Sequence, residues 1–352
     1  MPRRAPAILA ICAAAWLIGW VTQRSAPAGY DFIAIYASAR LVATGHAGAV
    51  TDRDAIFAVE RATLPERTIF LNNPNLPALS LILAPIGALP FEIGYAAMLT
   101  LSVAALAASA FLIAPLAAVD QRMRLFPFAL LAPPSTIALA QGQTTPFILL
   151  AVAAAMRAPP ALSGAMLGLV ALRPQLLPLF ALIALADRQR RIPFLLVVAA
   201  IGLVSVAMVG LDGLARYPEL LAPAAAELRP GELGLAALAR RVGLDAFDPA
   251  LVSLALSAVA VLVAAVLILR ARGEDRMALA PPATLLSVPH VLIHDAVLVY
   301  PTVAARSLTT RSTAVWIGTG LAAALIHEAG VPVAPLWLLA LLAWSLRAAR
   351  PR

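Results

Sequence analysis

The sequence predicts an all-α polytopic membrane protein threaded through a bilayer about 12 times. Three observations predict this. Of its 352 residues, 62% are hydrophobic and only 12% are charged, with a mean hydropathy of +0.91, well outside the range of soluble globular domains. Apolar runs recur at 7–22, 91–119, 125–140, 143–156, 192–211 and 249–269, several reaching the roughly 20 residues a spanning helix needs. Arginines punctuate these runs, at Arg3-Arg4, Arg122 and Arg124, Arg188 to Arg191, Arg270 to Arg276, Arg306 to Arg311 and Arg347 to Arg352, and the positive-inside rule places such loops in the cytoplasm.

The elements follow in order. Met1-Pro-Arg-Arg, the apolar run and Ala26-Pro27-Ala28 fit either a signal peptide or a retained first helix. Retention is expected, and both readings put residue 30 outside. Residues 25–75 form an outer loop with two short amphipathic helices, Asp31 to Ala43 and Asp52 to Thr63, suited to the membrane surface. Counting back from the carboxyl terminus, the crossings alternate as far as Arg122, but residues 76–119 then need an odd number and read as two. Either 76–89, interrupted by Pro85 and Pro90, stops short of spanning, or Arg122 faces outward. Residues 212–247, with Arg216, Glu219, Glu227, Arg229, Arg240 and Arg241, form a second outer loop. No fixed-period repeat and no paired interrupted helices occur, so residues 1–352 read as one membrane domain with both termini inside.

Composition also excludes chemistry. The single cysteine, Cys12, lies in the first apolar run, which rules out a disulfide framework, a thiolate metal site and a redox pair. The net charge of +8 comes from dispersed arginines, all 26 basic residues being Arg, and this argues against a nucleic-acid-binding face. No phosphate loop with Lys, Gly-x-Ser-x-Gly elbow, His-Glu-x-x-His helix or dinucleotide fingerprint is present. Any enzyme built this way takes a lipid-borne or membrane-surface substrate.

Polar residues beside the apolar runs fall mostly on the outer side, and ionisable groups at membrane depth usually face a cavity or a partner. Asp31 follows Gly29-Tyr30 and precedes an apolar run, the position of a helix N-cap. Gln141 and Gln143 enter a helix from its outer end. Arg173 precedes Pro174, which breaks the helix; it reads either as a snorkelling side chain or as a bidentate phosphate ligand. His290 and His294 share a helical face beside Asp295 and weakly resemble a metal pair, with proton transfer by one His as the alternative. His327-Glu328 reads as a solvated loop.

Taken in order, these residues resemble the polyprenyl-phosphate-sugar-dependent membrane glycosyltransferases of family 87. The resemblance rests on Tyr30-Asp31-Phe32 with Tyr36 and Gly45, Asn73-Pro74, Gly142-Gln143, Ser163-Gly164 leading to Arg173-Pro174, and Ser287-Val288-Pro289 ahead of His294. It implies a GT-C type fold and transfer of a hexose, typically mannose, from a polyprenyl-phosphate carrier to a glycolipid or glycan on the outer face of the bacterial inner membrane. It implies that Asp31 is the general base and that Arg173, with Arg40 and Arg240-Arg241 as second choices, meets the donor phosphate. Gln143 is then a candidate for the sugar hydroxyls and His294 for proton transfer or phosphate. Acidic residues are too sparse for an all-oxygen cation site, so no metal or cofactor is expected. The family usually has Lys-Pro where this chain has Arg173-Pro174, and an aromatic where it has Asn72-Asn73-Pro74-Asn75. The rival functions are a transporter or lipid flippase and a non-catalytic membrane scaffold. Asp31→Asn separates them, since a scaffold tolerates it and a base does not.

Overall fold

The computed structural model describes residues 29–66, 68–119, 122–226, 235, 249–271, 273–288, 291–306 and 334–348, and among these it is helical without a strand. The chain order is α1 (Phe32–Ala43), α2 (Arg53–Thr63), α3 (Pro77–Ile82), α4 (Ala84–Gly87), α5 (Phe91–Ile113), α6 (Arg122–Leu131), α7 (Pro133–Gln141), α8 (Thr145–Arg157) and α9 (Pro160–Gly168). It continues with α10 (Leu177–Ala186), α11 (Arg188–Ala226), α12 (Pro249–Arg270), α13 (Glu274–Ser287), α14 (Tyr300–Arg306) and α15 (Ala334–Ala348). Short 3-10 turns at Leu169–Leu172, Pro174–Leu176 and Ile293–Val299 join several of them.

Among the described residues three stretches are long and apolar enough to cross a bilayer: Phe91–Leu116, Arg188–Tyr217 and Leu251–Arg270. Their outward side chains are themselves apolar. Phe111 and Leu101 on α5, Leu196 and Leu203 on α11, and Leu254, Leu262 and Val263 on α12 are all exposed, the pattern of helices solvated by lipid. The 23 residues of α5 rise about 34 Å, enough for a hydrocarbon core of about 30 Å. Five shorter apolar helices accompany them, and the run at 7–22 lies outside the described residues.

Residues 76–89 fold as two helices of six and four residues, too short to span, as the first of the two readings of that stretch has it, because prolines set the start of each. Other sequence expectations are corrected. The run 125–140 is likewise two helices, divided at Pro133-Pro134. Residues 212–226 are helical rather than a loop, continuing α11 beyond a break at Gly210 (φ 71°). The two helices of the first loop also differ from each other. α2 is amphipathic, with Ile56 and Glu60 buried and Arg53, Asp54 and Arg61 exposed. α1 is buried on nearly every side, from Phe32 through Ala39, because α3, α4 and α5 pack around an almost wholly apolar helix.

Close helix approach depends on glycine. A Cβ on Gly164 of α9 would lie 2.2 Å from the Arg190 carbonyl oxygen of α11, and one on Gly87 would lie 2.4 Å from Ala39 of α1. With no hydrophobic drive between helices in lipid, such contacts supply much of the packing. Gly164→Val should therefore part α9 from α11 and destabilise the fold by about 2 kcal/mol or more. Thermal melting in detergent against wild type measures this.

Candidate active site

The site is organised by one turn. α7 ends at Gly142, whose left-handed backbone (φ 68°, ψ 40°) closes the helix with Gly142 N–H to Leu139 O and Gln143 N–H to Ala138 O. Only glycine fits, since a Cβ there would also lie 2.6 Å from Cβ of Phe32. Four side chains around this turn reach across to other parts of the chain, two of them to the adjacent residues His294 and Asp295. Gln143 Nε2 donates to Asp31 Oδ2 at 2.6 Å. Thr144 Oγ1 donates to Asn75 Oδ1 at 3.2 Å. Thr145 donates to Asp295 Oδ1 at 2.7 Å and accepts from Arg173. Gln141 Oε1 lies 2.9 Å from His294 Nδ1.

The segments so gathered line a cleft whose polar lining includes Asp31, Asn72, Gln143, Arg173, His294 and Asp295. Asp31 occupies the N-cap position of α1 but makes no capping hydrogen bond. The N-cap reading of its side chain is thereby corrected: Gln143 takes one carboxylate oxygen, and the other has no partner among the described residues. A working cap occurs nearby at Asp52, whose Oδ1 accepts from Asp54 N and Ala55 N at 2.9 and 3.1 Å. Gly29 (φ 76°), pinned through its N–H to Ala140 O at 2.8 Å, steers the Asp31 backbone onto the turn, and Tyr95 OH binds the same oxygen.

Arg173 sits in the break that Pro174 imposes between two 3-10 turns, and it is buried at 4% exposure. It does not snorkel. Its Nη1 pairs with Asp295 Oδ1 at 2.7 Å. The Leu172 carbonyl freed by the break accepts from Leu76 N–H, which docks the 72–76 segment against it. Tyr217 OH holds that segment from the other side through Pro74 O at 2.6 Å. Asn73 and Asn75 brace it internally, Asn75 Nδ2 donating to Asn73 Oδ1 at 2.6 Å.

Asp295, outside the three long apolar helices, is fully buried. Burial pushes its carboxyl upward, but the Arg173 charge, His294, the Thr145 hydroxyl and the Leu292 N–H together outweigh this and hold it below its ordinary value of 3.8.

Four of the sequence candidates, Asp31, Gln143, Arg173 and His294, thus share one cleft. Arg40 does not join them. Its Nη1 donates to the Gly87 and Ala88 carbonyls at 3.0 and 3.2 Å, closing the carboxyl end of α4. Arg240, Arg241, His290 and His327-Glu328 lie outside the described residues. Among the described residues no group of three His, Cys, Asp or Glu is placed to hold a metal. From the sequence, Asp295 figures only beside the His290 and His294 pair and Asn75 only as a departure from the family pattern, and Thr145 and Tyr217 are passed over. Asp295 carried a signal, a carboxylate in an apolar stretch; the other three carried none.

The family model for glycosyltransferase family 87 matches residues 75–301, a span that holds Gln143, Arg173, His294 and Asp295. No curated protein and no solved structure matches the chain.

A carboxyl depressed on folding stabilises the folded state at pH above its unfolded value, and that contribution is lost as pH falls through the lower folded value. Wild type in detergent should therefore lose melting temperature as pH is taken from neutral to below the ordinary carboxylate value of 3.8. Asp295→Asn should start lower at neutral pH, with Arg173 left unpaired, and fall less over the same interval.

Proposed function

The chain belongs to glycosyltransferase family 87, and from that premise we propose that it moves a hexose, mannose in the first instance, from a polyprenyl-phosphate carrier to a glycolipid or glycan acceptor. The observation that carries this reading is that Asp31 and Arg173, a carboxylate and a guanidinium far apart in sequence, line the same cleft. The proposal extends to a GT-C type arrangement of about 12 crossings in one domain, with the cleft opening on the outer face of a bacterial inner membrane. A donor carried on lipid suits that face, since nucleotide sugars are cytoplasmic.

In this mechanism the open oxygen of Asp31 takes the proton of the acceptor hydroxyl as the acceptor's oxygen attacks the anomeric carbon. The bond from that carbon to the phosphate oxygen breaks, and its electron pair leaves with the lipid phosphate. Arg173 meets the charge that develops there. Gln143, assigned to sugar hydroxyls on sequence grounds, gives one of its two amide N–H groups to Asp31, which leaves the sugar contact to its second N–H and its Oε1. It holds one oxygen still so that the other faces the acceptor. His294, fixed by Gln141, contributes proton transfer or a phosphate contact at the Arg173 end.

The test is transfer of labelled sugar from polyprenyl-phosphate mannose into lipid and glycan fractions, in membranes holding equal amounts of wild type and variants. Asp31→Asn should lower transfer by about a hundredfold or more, the usual scale of a lost general base. Gln143→Ala should lower it less, with the loss in kcat rather than in donor KM. Undiminished transfer by Asp31→Asn sinks the base; no transfer by wild type from any lipid-phosphate sugar makes the transporter the better reading.

A further inference from the structure

Arg173 presents five N–H donors on a rigid planar fork, and burial makes each one left unmet unfavourable. Nη1 is engaged twice, by Asp295 Oδ1 at 2.7 Å and by the Thr145 hydroxyl. Nε is buried and has no partner among the described residues, although the side chain lines the cleft. A buried guanidinium with one side tied down and an orphan N–H on the other is suited to an acceptor from outside the chain.

The group that ties it down is itself fixed. Asp295 receives the Leu292 N–H on Oδ2 at 3.2 Å and the Thr145 hydroxyl on Oδ1 at 2.7 Å. His294 Nε2 stands 3.6 Å from the same Oδ1. The Thr145 hydroxyl has one proton, given to Asp295, and a lone pair, which takes the Arg173 N–H, so guanidinium, hydroxyl and carboxylate close a ring.

We propose that Asp295 and Thr145 are positioning residues that clamp Nη1 of Arg173 and so keep the Nε–Nη2 edge for bidentate binding of a lipid-linked phosphate. This rests on the reading of Arg173 as the residue that meets the donor phosphate. The clamp fixes the plane of the fork, which an unpaired arginine on a flexible stem would not hold, and a lysine in its place would lose the two-point geometry. Neither Asp295 nor Thr145 needs to touch the substrate.

Binding to purified protein in nanodiscs tests this without relying on turnover, using farnesyl phosphate and farnesol as probes. Wild type should prefer the phosphate by about tenfold or more, the scale of a charge-assisted bidentate pair. Asp295→Asn and Thr145→Val should each cut that preference by about fivefold while farnesol binding stays the same, a split that a general loss of structure would not give. Thr145→Val preserves side-chain shape and decides the matter alone if Asp295→Asn does not fold. A preference kept in the clamp variants but lost in Arg173→Ala overturns the clamp and spares the phosphate reading. A preference kept in Arg173→Ala overturns both. Inorganic phosphate that displaces farnesyl phosphate at equal concentration overturns the lipid-linked part.

Discussion

The left-handed turn at Gly142 is the constraint on which the rest of the site depends. Its backbone angles reverse the chain between α7 and α8 within two residues, which aims Gln141, Gln143, Thr144 and Thr145 at segments far apart in the chain. The contact between Gly142 and Phe32 brings α1 close enough for the Asp31 carboxylate to meet Gln143. Without that turn, Asp31, the 72–76 segment, Arg173 and the 292–295 segment would have no common point. Backbone geometry at one residue therefore sets the spacing between the two ends of the cleft.

The two ends are built on opposite electrostatic terms. At one end Asp31 is partly exposed, has a single neutral partner and keeps an oxygen open. At the other, Arg173 and Asp295 are both almost wholly buried and bind each other directly. A buried pair contributes little net stability, because the desolvation of both charges offsets most of their attraction, but loss of one partner costs about 3–5 kcal/mol. The pair therefore serves less to strengthen the fold than to fix a cation in a set orientation within an apolar protein. Pro174 makes this feasible. By interrupting the helix it opens room for the guanidinium and frees the Leu172 carbonyl, which Leu76 then satisfies.

Much of this was legible in the sequence. Composition alone gave the membrane class, and the long runs at 91–119, 192–211 and 249–269 correspond to the three long apolar helices. Asp31, Gln143, Arg173 and His294 stood out because polar groups beside apolar runs need a reason to be there. Other features were not legible, for identifiable reasons. α1 is almost wholly apolar where α2 carries four charges, which the sequence shows, but the helices that cover α1 are set by tertiary packing. Arg40 looked equivalent to Arg173 as a cation, but the open carbonyls at the end of α4 claimed it, a partner 47 residues away that no local pattern reveals. Thr145 is an ordinary residue near a helix start until Asp295, 150 residues later, is folded against it.

The same reasoning bears on Gln143. A glutamine carries two amide N–H groups and an acceptor oxygen, and Gln143 gives one N–H to Asp31 at 2.6 Å, so it can hold the carboxylate and still meet a sugar hydroxyl. A neutral donor holds the carboxylate without neutralising it, whereas an arginine there would lower its basicity as it held it. The burden of charge is instead placed at the far end of the cleft, where Asp295 already shares the guanidinium. A separation of this kind, a neutral clamp for the carboxylate and an ionic clamp for the cation, lets one cleft hold both groups without their neutralising each other.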